Sequence, residues 1–375
     1  MNPLLGKITE LRQGAPLLPD RQNKNRYRIV STEPDGSKTA YCFASPIYHY
    51  KTRKLVDVSF RFLDGAAHAT GSNAEITVSD RISLKSDEGR CSVSLPARIS
   101  RASENELVCG NTRIYPTVNG VAIRSLTSGT EGVTFTLETD RSFLNIRAND
   151  KYVALMQDRF CPFVVISCIG TSNSGGCIIA PAKISYQKNS DRSYTVSVVP
   201  CSPLGTSVLF EINLYEAKLF RDTTVESHHP KVNNVFGSVG FIGTTKEFGE
   251  QWLYSFPDVT KTEDLGDRKL LRAVLYLPRL NTAATKLSAF GLRSRFCSFG
   301  STWSNRIAET EVLSDARMTD RFLRLDLTPV LSDQYGRLTG SNGFILRSTA
   351  KETGFSVIPT GDSYFIPQIL EINYR

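Results

Sequence analysis

Apolar and polar residues alternate with a period of two in many short segments of the chain. In the segment VTFTLE, Val133, Phe135 and Leu137 alternate with polar residues. Residues two positions apart face the same side of a β-strand, so this alternation predicts strands with one buried face. The same pattern recurs in residues 56–62, 194–198, 210–214, 273–277, 323–327 and 370–374.

Turn-forming clusters separate these segments. They include Asn119-Gly120 and residues 128–129, 174–176 and 188–191. The 26 glycines and 17 prolines among 375 residues also favour many short strands joined by turns. We therefore predict an all-β protein with two β-rich regions, built as sandwiches or strand-rich barrels.

One segment predicts a short helical turn instead of a strand. Residues 328–334 begin with Thr328, a residue type that caps helices, and Pro329 suits the first helical position. Gly336 follows this segment and is expected to end the turn.

The patterns divide the chain into three segments. Residues 1–40 are predicted to be an extended arm because four prolines interrupt any helix. This arm is either docked on a neighbouring subunit or an ordinary tail with one strand at residues 27–30. Residues 41–215 form a β-rich N-terminal domain or two subdomains, and residues 216–375 form a second β-domain. The four prolines of the arm are Pro3, Pro16, Pro19 and Pro34.

No segment has the pattern of a membrane-spanning helix. The longest uncharged stretch, residues 160–182, is interrupted by Pro162, by the glycine-rich residues 170–176 and by Pro181. We interpret it as two buried strands and a turn, with no membrane span. The first 20 residues lack the basic start and apolar run of a secretory signal.

The chain has a formal net charge of +8 and a pI near 9.0, which favours anionic partners. The positive charge is spread along the sequence, without a run of five or six Lys or Arg residues. This distribution does not favour nucleic acid as the partner. An anionic cell-wall polymer is the preferred interpretation.

The eight cysteines are interpreted as free thiols that act as small apolar residues. No C-x-x-C pair occurs, and the four histidines are not near the cysteines in sequence, so no zinc site is predicted. His228 and His229 are adjacent and would face opposite sides of an extended segment, so they are interpreted as part of a solvated loop.

From about residue 216 onward, the order of motifs resembles the DNRLRE family. The motifs are DTTV (222–225), HHPKVNN, WLYSF, RAVLYLP, a lone Trp303, FLRLDLTPVL, GFILRS and the closing PQILEINY. The resemblance implies a jelly-roll β-sandwich grouped with carbohydrate-binding modules, in which the last strand forms an edge. The segment FSVIPTGDSYFIP departs from the family because it lacks the string that gives the family its name.

The N-terminal region resembles a β-rich leader found before such modules in bacterial RHS-associated and wall-associated proteins. The resemblance rests on AYCFASPIYHY, VDVSFRF, SYTVSVVP and LFEINLYEAK. In those proteins the leader and module lie beside repeats or toxins.

Aromatic side chains are the candidate sugar-binding residues, because they stack on the apolar faces of pyranose rings. Trp252 and Tyr254 share one face of a predicted strand, which fits a core stripe as well as a binding platform. Trp303 lies in a polar segment and is the best exposed candidate. Tyr335 and Tyr364 complete the set.

Asp222 and Glu226 are candidate oxygen ligands for a structural calcium ion, because sandwich modules often use calcium to fix a loop. The spacing of an EF-hand is absent. No other cofactor is predicted.

No catalytic motif is present in the sequence: neither G-x-S-x-G nor H-E-x-x-H occurs. Paired carboxylates of a glycosidase would need only to converge in space, so sequence does not test them. The sequence favours a protein without enzymatic activity.

The sequence is most consistent with a bacteriophage virion component of the tail, baseplate, fibre or capsid decoration, assembled in the host cytoplasm. We expect it to contact other virion proteins, to form a homo-oligomer and to bind a cell-surface glycan or an anionic wall polymer. One alternative is a bacterial surface or secreted adhesion module related to RHS-type proteins. Another is a purely structural scaffold that binds only protein.

Overall fold

The computed structural model describes residues 3–13, 15, 17, 25–95, 97–259, 268–281, 286–350 and 354–375. Within these residues the chain forms thirty strands and two short helices, α1 (Pro3–Leu11) and α2 (Thr328–Leu331). Every strand pair among them is antiparallel, in four sheets. The prediction of an all-β protein is confirmed.

The first nineteen strands precede residue 215. They are β1 (Arg28–Thr32), β2 (Lys38–Phe43), β3 (Arg61–Leu63), β4 (Ala66–Thr70), β5 (Glu75–Val78), β6 (Arg81–Ser86), β7 (Gly89–Ser94), β8 (Arg101–Ala102), β9 (Leu107–Cys109), β10 (Thr112–Pro116), β11 (Gly120–Leu126), β12 (Val133–Thr139), β13 (Asn145–Ala148), β14 (Tyr152–Met156), β15 (Pro162–Ser172), β16 (Ile178–Ala180), β17 (Ala182–Ser190), β18 (Ser193–Pro200) and β19 (Ser207–Leu214).

The other eleven strands follow residue 215. They are β20 (Phe220–Glu226), β21 (Val239–Thr245), β22 (Gly249–Pro257), β23 (Leu270–Pro278), β24 (Leu287–Leu292), β25 (Glu309–Asp315), β26 (Arg317–Met318), β27 (Phe322–Asp326), β28 (Phe344–Ser348), β29 (Phe355–Pro359) and β30 (Ile369–Tyr374).

The chain divides into two compact units. Unit 1 contains Met1–Arg53, Ala217–Val235 and Val239–Arg375, and unit 2 contains Lys54–Glu216 with Phe236–Ser238. This division differs from the predicted segments in two respects. The first 53 residues belong to the same unit as the C-terminal β-domain, and Phe236–Ser238 belong to unit 2.

Unit 1 is a two-sheet sandwich. One sheet has the order β1-β2-β30-β23-β27-β26, and the other has the order β25-β24-β28-β22-β21-β29, with β20 also paired to β22. Leu275 and Ile372 of the first sheet share a buried core with Leu253 and Leu346 of the second. The chain crosses between the sheets from β22 to β23 and again from β23 to β24, as strands of a jelly roll do.

Unit 2 is a second sandwich with its own core. Its nine-stranded sheet has the order β13-β14-β15-β19-β11-β10-β9-β8, with β16 paired to β15. Its eight-stranded sheet has the order β17-β18-β12-β7-β6-β5-β4-β3. Phe210 and Ile123 of the first sheet pack in one core with Leu137 and Val196 of the second.

The period-two alternation identifies most strands correctly. The apolar members of the segments near residues 135, 196, 212, 275, 325 and 372 are buried, and their polar neighbours are more exposed in most cases. The stretch 160–182 forms the predicted two strands, β15 and β16, joined by a turn. All eight cysteines are free, and Cys42, Cys91, Cys109 and Cys168 are buried as predicted.

The prediction of an extended arm is wrong for residues 3–11, whereas the strand expected near residues 27–30 forms as β1. Residues 3–11 form α1, since Pro3 is at the first helical position, where its missing N–H removes no hydrogen bond. Leu4 and Ile8, one helical turn apart, are both buried. Strands β1 and β2 then join the six-stranded sheet, whereas Pro16 and Pro19 lie outside the described residues.

The last strand is also placed differently from the prediction. β30 lies between β2 and β23, so it is an interior strand of its sheet and not an edge. The sequence pattern predicts the strand itself correctly. It does not reveal that β2, more than 320 residues earlier in the chain, supplies its second neighbour.

Two local predictions also need correction. In residues 56–62 only β3 is a strand; Val56 and Phe60 are buried, but Phe62 is 58% exposed. Helix α2 forms at the predicted place, but it ends at Leu331 and Thr328 is not its cap. The Thr328 hydroxyl instead accepts a hydrogen bond from the Ala273 N–H at 2.9 Å, which ties the helix to β23.

Candidate functional site

The outer face of the seven-stranded sheet in unit 1 carries a second, smaller apolar cluster. Neighbouring residues of a strand face opposite sides, so Leu253 faces the sandwich core whereas Tyr254 and Phe256 face outward. Ile345 of β28 is directly opposite Tyr254 and also faces outward. We call this group, with its partners in the following loop, the outer-face cluster.

The loop 293–308, between β24 and β25, covers this cluster. Phe296 of the loop is buried against Tyr254, with ring centroids 5.6 Å apart. Hydrogen bonds fix the loop: the Asn233 side-chain amide donates to the carbonyl groups of Ser298 and Ser301, and the Ser304 N–H donates to the Pro230 carbonyl. An apolar anchor and these polar ties hold the loop in one conformation.

Both tryptophans of the chain meet at the margin of the outer-face cluster. The ring centroids of Trp252, on β22, and Trp303, in the loop, are 5.0 Å apart, and the rings are tilted by 56°. Both side chains are half-buried. The Trp252 indole N–H donates to a carboxylate oxygen of Glu250 at 2.8 Å, which fixes the orientation of that ring.

Arg306 lies against both indole rings. Its guanidinium carbon is 4.0 Å from the ring centroid of Trp303 and 5.2 Å from that of Trp252. Arg306 is exposed and takes part in none of the ion pairs among the described residues. A cation close to two aromatic rings, with no ion-pair partner among the described residues, is suited to bind an anion.

Arg347 has a different role beside the same rings. Its guanidinium carbon is 5.6 Å from the ring centroid of Trp252 and 4.1 Å from that of Phe290. It also donates two hydrogen bonds to Glu309, at 2.9 and 2.8 Å. The bidentate pair raises the pKa of Arg347, neutralises its charge locally and makes it a fixed wall of the site.

The loop that carries Trp303 is strongly basic. Residues 293–308 contain three arginines and no acidic residue. Arg293 and Arg295 are exposed like Arg306, and the Arg295 guanidinium carbon lies 4.4 Å from the ring centroid of Phe256. The loop therefore adds positive charge to the same face of unit 1, although only Arg306 lies against the tryptophan rings.

Two of the predicted stacking residues are not available at the surface. Tyr254 is fully buried in the outer-face cluster, and this burial raises its pKa to about 12. Tyr364 is only 4% exposed, and the Lys218 ammonium lies over its ring. The prediction that these two rings face a ligand is wrong, and the core interpretation is confirmed for Tyr254.

Tyr335 is 68% exposed, but it does not belong to the outer-face cluster. It lies in the turn after α2, where the Arg337 guanidinium carbon is 5.1 Å from its ring centroid.

The two proposed calcium ligands on β20 belong to separate hydrogen-bond networks. Asp222 is buried and accepts a hydrogen bond from the Gly361 N–H, and desolvation by burial raises its pKa to about 7.

Glu226 is also buried, and its oxygens are occupied by other side chains. It contacts the His229 ring nitrogen Nδ1 at 2.8 Å and accepts hydrogen bonds from Gln251 at 3.1 Å and Asn234 at 3.4 Å. In the part of the chain that the structure describes, no three His, Cys, Asp or Glu side chains converge to hold a metal ion. The two carboxylates do not fit a shared calcium site.

The histidine pair divides between two environments. His228 is exposed, as a solvated loop predicts, but His229 is half-buried and contacts Glu226. The sequence pattern does not predict the contact between His229 and Glu226, because this contact depends on the turn after β20.

Sequence reasoning also missed the two arginines at the tryptophan pair. The signal was present in residues 293–306, RSRFCSFGSTWSNR, where basic and aromatic residues alternate within one loop. Arg347 gave no such signal, since it reaches Trp252 only because β28 pairs with β22.

Comparison of the chain with models of known protein families finds no match, and comparison with curated proteins finds no significant relative. The resemblance to the DNRLRE family therefore stays a prediction. None of the helices among the described residues is long and apolar enough to cross a membrane.

Proposed function

We propose that the protein is a non-enzymatic recognition protein whose unit 1 binds an anionic glycan at the surface of Trp252, Trp303 and Arg306. The observation that carries this proposal is the unpaired Arg306 guanidinium, 4.0 Å from the centroid of a half-buried tryptophan ring. Anionic glycan here means a saccharide polymer that carries carboxylate or phosphate groups.

The chemistry of the two residue types supports this ligand class. The N–H groups of a guanidinium lie in its own plane, so a ring against one face leaves them able to donate a bidentate pair to a carboxylate or phosphate. The exposed parts of the indoles provide apolar surface for the C–H face of a sugar ring. One ligand that has an anionic group next to a sugar ring satisfies both.

Fixed neighbours support recognition without a large rearrangement. Glu250 orients the Trp252 ring, and the Arg347–Glu309 pair forms the adjacent wall. A site whose side chains are already oriented loses less conformational entropy on binding. Arg293 and Arg295 add positive charge, which increases the association rate with a polyanion at low salt.

The biological setting is part of the proposal. We propose a virion component that meets the anionic polymers of a bacterial surface, with a bacterial adhesion module as the alternative. Structural virion genes beside its gene would favour the first setting, whereas repeat or toxin genes would favour the second.

The binding proposal can be tested by calorimetric titration with three saccharides. These are an oligogalacturonate, a glycerol-phosphate polymer and a neutral dextran oligosaccharide. We expect saturable binding of one or both anionic ligands, weakening steeply as salt rises, and no binding of dextran.

Arg306→Ala should weaken that binding at least tenfold, and Trp303→Ala should weaken it as well. Arg317→Ala is the matched control, since Arg317 is exposed on β26 of the other sheet and carries the same charge. Equal losses in Arg306→Ala and Arg317→Ala would mean that net charge alone drives binding and would overturn the proposed site. Binding that Trp303→Ala leaves unchanged would remove Trp303 from it.

A further inference from the structure

In the eight-stranded sheet of unit 2, β7 and β12 pair over only part of their length. The two strands pair only where Cys91, Ser92 and Val93 lie opposite Leu137, Glu138 and Thr139. The rest of β12, residues 133–136, pairs with β18 on its other side. Among the described strands, none pairs with residues 133–136 on the β7 side, so backbone polar groups of this edge face the opening.

A half-open cavity of about 230 Å³ lies at this opening and extends into the unit 2 core. Its walls come from both sheets, with Phe135 of one sheet stacked on Phe210 of the other at 5.4 Å. The remaining apolar walls are branched aliphatic side chains, namely Val93, Leu95, Ile123 and Val133.

The polar groups of the cavity are few and uncharged. Among the residues that the structure describes, no Lys, Arg, His, Asp or Glu contributes to its lining. The buried Thr112 hydroxyl lies 3.4 Å from the Ser125 hydroxyl, within the protein. Ser94 and Thr134, which are exposed, lie toward the mouth. The cavity is therefore mainly apolar inside, where the Thr112 hydroxyl already has a partner, and it provides further neutral hydrogen-bonding groups at its opening.

From these features we infer that unit 2 binds a short aliphatic chain that ends in an uncharged hydrogen-bonding group. Protein interiors are otherwise packed with few voids larger than a water molecule, so an apolar space of this size is suited to an apolar occupant. An aliphatic chain matches the branched walls, because the two phenylalanine rings already stack on each other.

The volume of the cavity limits the length of the aliphatic ligand. An apolar cavity of about 150 Å³ accommodates benzene, so this cavity accommodates roughly nine heavy atoms. A linear chain of about eight carbons can occupy it, with its terminal hydroxyl or amide group at the mouth beside the unpaired edge of β12. This site lies entirely in unit 2 and is independent of the glycan proposal.

The test uses the full chain and the alcohols 1-butanol, 1-hexanol, 1-octanol and 1-decanol, titrated by calorimetry. We expect 1-octanol to bind one site per chain with a Kd below about 1 mM. Affinity should rise about fourfold for each methylene up to about eight carbons and then level off, because a longer chain extends beyond the cavity. The absence of saturable 1-octanol binding, or an affinity for 1-decanol that continues the same rise per methylene, would overturn the inference.

A pair of variants locates the site. Val133→Phe places an aromatic ring in place of the smaller valine side chain at the half-buried mouth. It should weaken 1-octanol binding at least tenfold. Val199→Phe makes the same change at a 40% exposed position on β18, outside the cavity lining, and should leave the affinity unchanged. If 1-octanol binds both variants equally, the cavity is not the site. The chain-length series in the unchanged protein decides the question if Val133→Phe does not fold.

Discussion

Each unit is a two-sheet sandwich with one additional feature. This feature lies on the outer face of a sheet in unit 1 and inside the core in unit 2. In unit 1 the loop 293–308 covers apolar residues on the outer face of the seven-stranded sheet. In unit 2 β7 and β12 separate and leave a cavity. Both units have the same class of fold, but they offer different surfaces to a ligand.

The outer face of the eight-stranded sheet in unit 2 illustrates the contrast. Along one line of paired residues across this sheet the side chains are polar, whereas the corresponding face in unit 1 carries tryptophan, tyrosine and phenylalanine. The line runs through His68, Thr77, Ser83, Ser92, Glu138 and Ser193. A sheet face of this composition can be hydrated directly and needs no covering loop, so unit 2 offers no aromatic platform there.

Removing one buried ring from each unit should give the largest effects and separate the two. Phe296→Ala removes the anchor of the loop in unit 1, and Phe135→Ala removes a wall of the cavity in unit 2. Each should lower the free energy of unfolding of its unit by about 3 kcal/mol. Denaturant unfolding followed by circular dichroism measures this cost.

Tryptophan emission distinguishes the two variants, since both tryptophans lie in unit 1. Only Phe296→Ala should shift the emission of the folded protein to longer wavelength, because the loop that covers Trp252 becomes looser. An equal shift in Phe135→Ala would contradict the assignment of separate cores.

One buried carboxyl group should also give unit 1 a pH dependence of its own. The pKa of Asp222 is raised by burial from 3.8 to about 7 in the folded state, so the folded protein binds the proton more tightly than the unfolded chain. This stabilisation is complete below about pH 4 and is lost as the pH rises through about 7. Between these values the free energy of unfolding of unit 1 should fall by about 3 kcal/mol.

Asp222→Asn keeps the shape of the side chain and removes the titrating group. In this variant the fall between pH 4 and pH 7 should be absent when unit 1 is followed by tryptophan fluorescence. A fall of the same size in wild type and variant would assign the pH dependence to another group.

Thiol reactivity should separate the covering loop from the two cores. Burial raises the pKa of Cys42 in unit 1 and of Cys91 in unit 2 to about 12, whereas Cys297 in the loop is exposed. Under native conditions at pH 7.5, a maleimide should label Cys297 first and leave Cys42 and Cys91 unmodified. Mass spectrometry of peptides after brief labelling measures this order, and early labelling of Cys91 would mean that the unit 2 core is accessible.

The smallest effect on stability is expected at the proposed binding residue. Arg306 is exposed, and a cation over an aromatic ring at such a site contributes about 0.5–1 kcal/mol. Arg306→Ala should therefore lower the free energy of unfolding of unit 1 by less than about 1 kcal/mol. A loss comparable to that of Phe296→Ala, measured in the same denaturant series, would make Arg306 a structural residue and weaken the binding proposal.

The sequence predicts strands well where burial alternates residue by residue. The segments around Phe135, Phe210 and Leu275 form strands with the predicted inward faces. It fails in residues 56–60, where Val56 and Phe60 are buried without a strand. Two buried side chains four residues apart in an irregular segment give the same apolar pattern in the sequence as one face of a strand. The pattern alone does not distinguish the two.

The candidate site was predicted only in part, because its contacts join distant segments. Trp303 was identified from its polar surroundings, but its contact with Trp252, about fifty residues earlier, depends on how the loop 293–308 folds over β22. The burial of Tyr364 likewise depends on Lys218, which lies far away in the sequence. Local patterns carry no information about such pairs.

The most direct test of the central claim is a fluorescence titration with an anionic oligosaccharide. Both tryptophans of the chain lie beside Arg306, so their emission reports on this site alone. We predict a saturable change in emission with oligogalacturonate or a glycerol-phosphate polymer, lost in Arg306→Ala and retained in Arg317→Ala. Binding of these ligands with no change in emission, or with the same change in Arg306→Ala, would contradict the proposal that unit 1 recognises an anionic glycan at this surface.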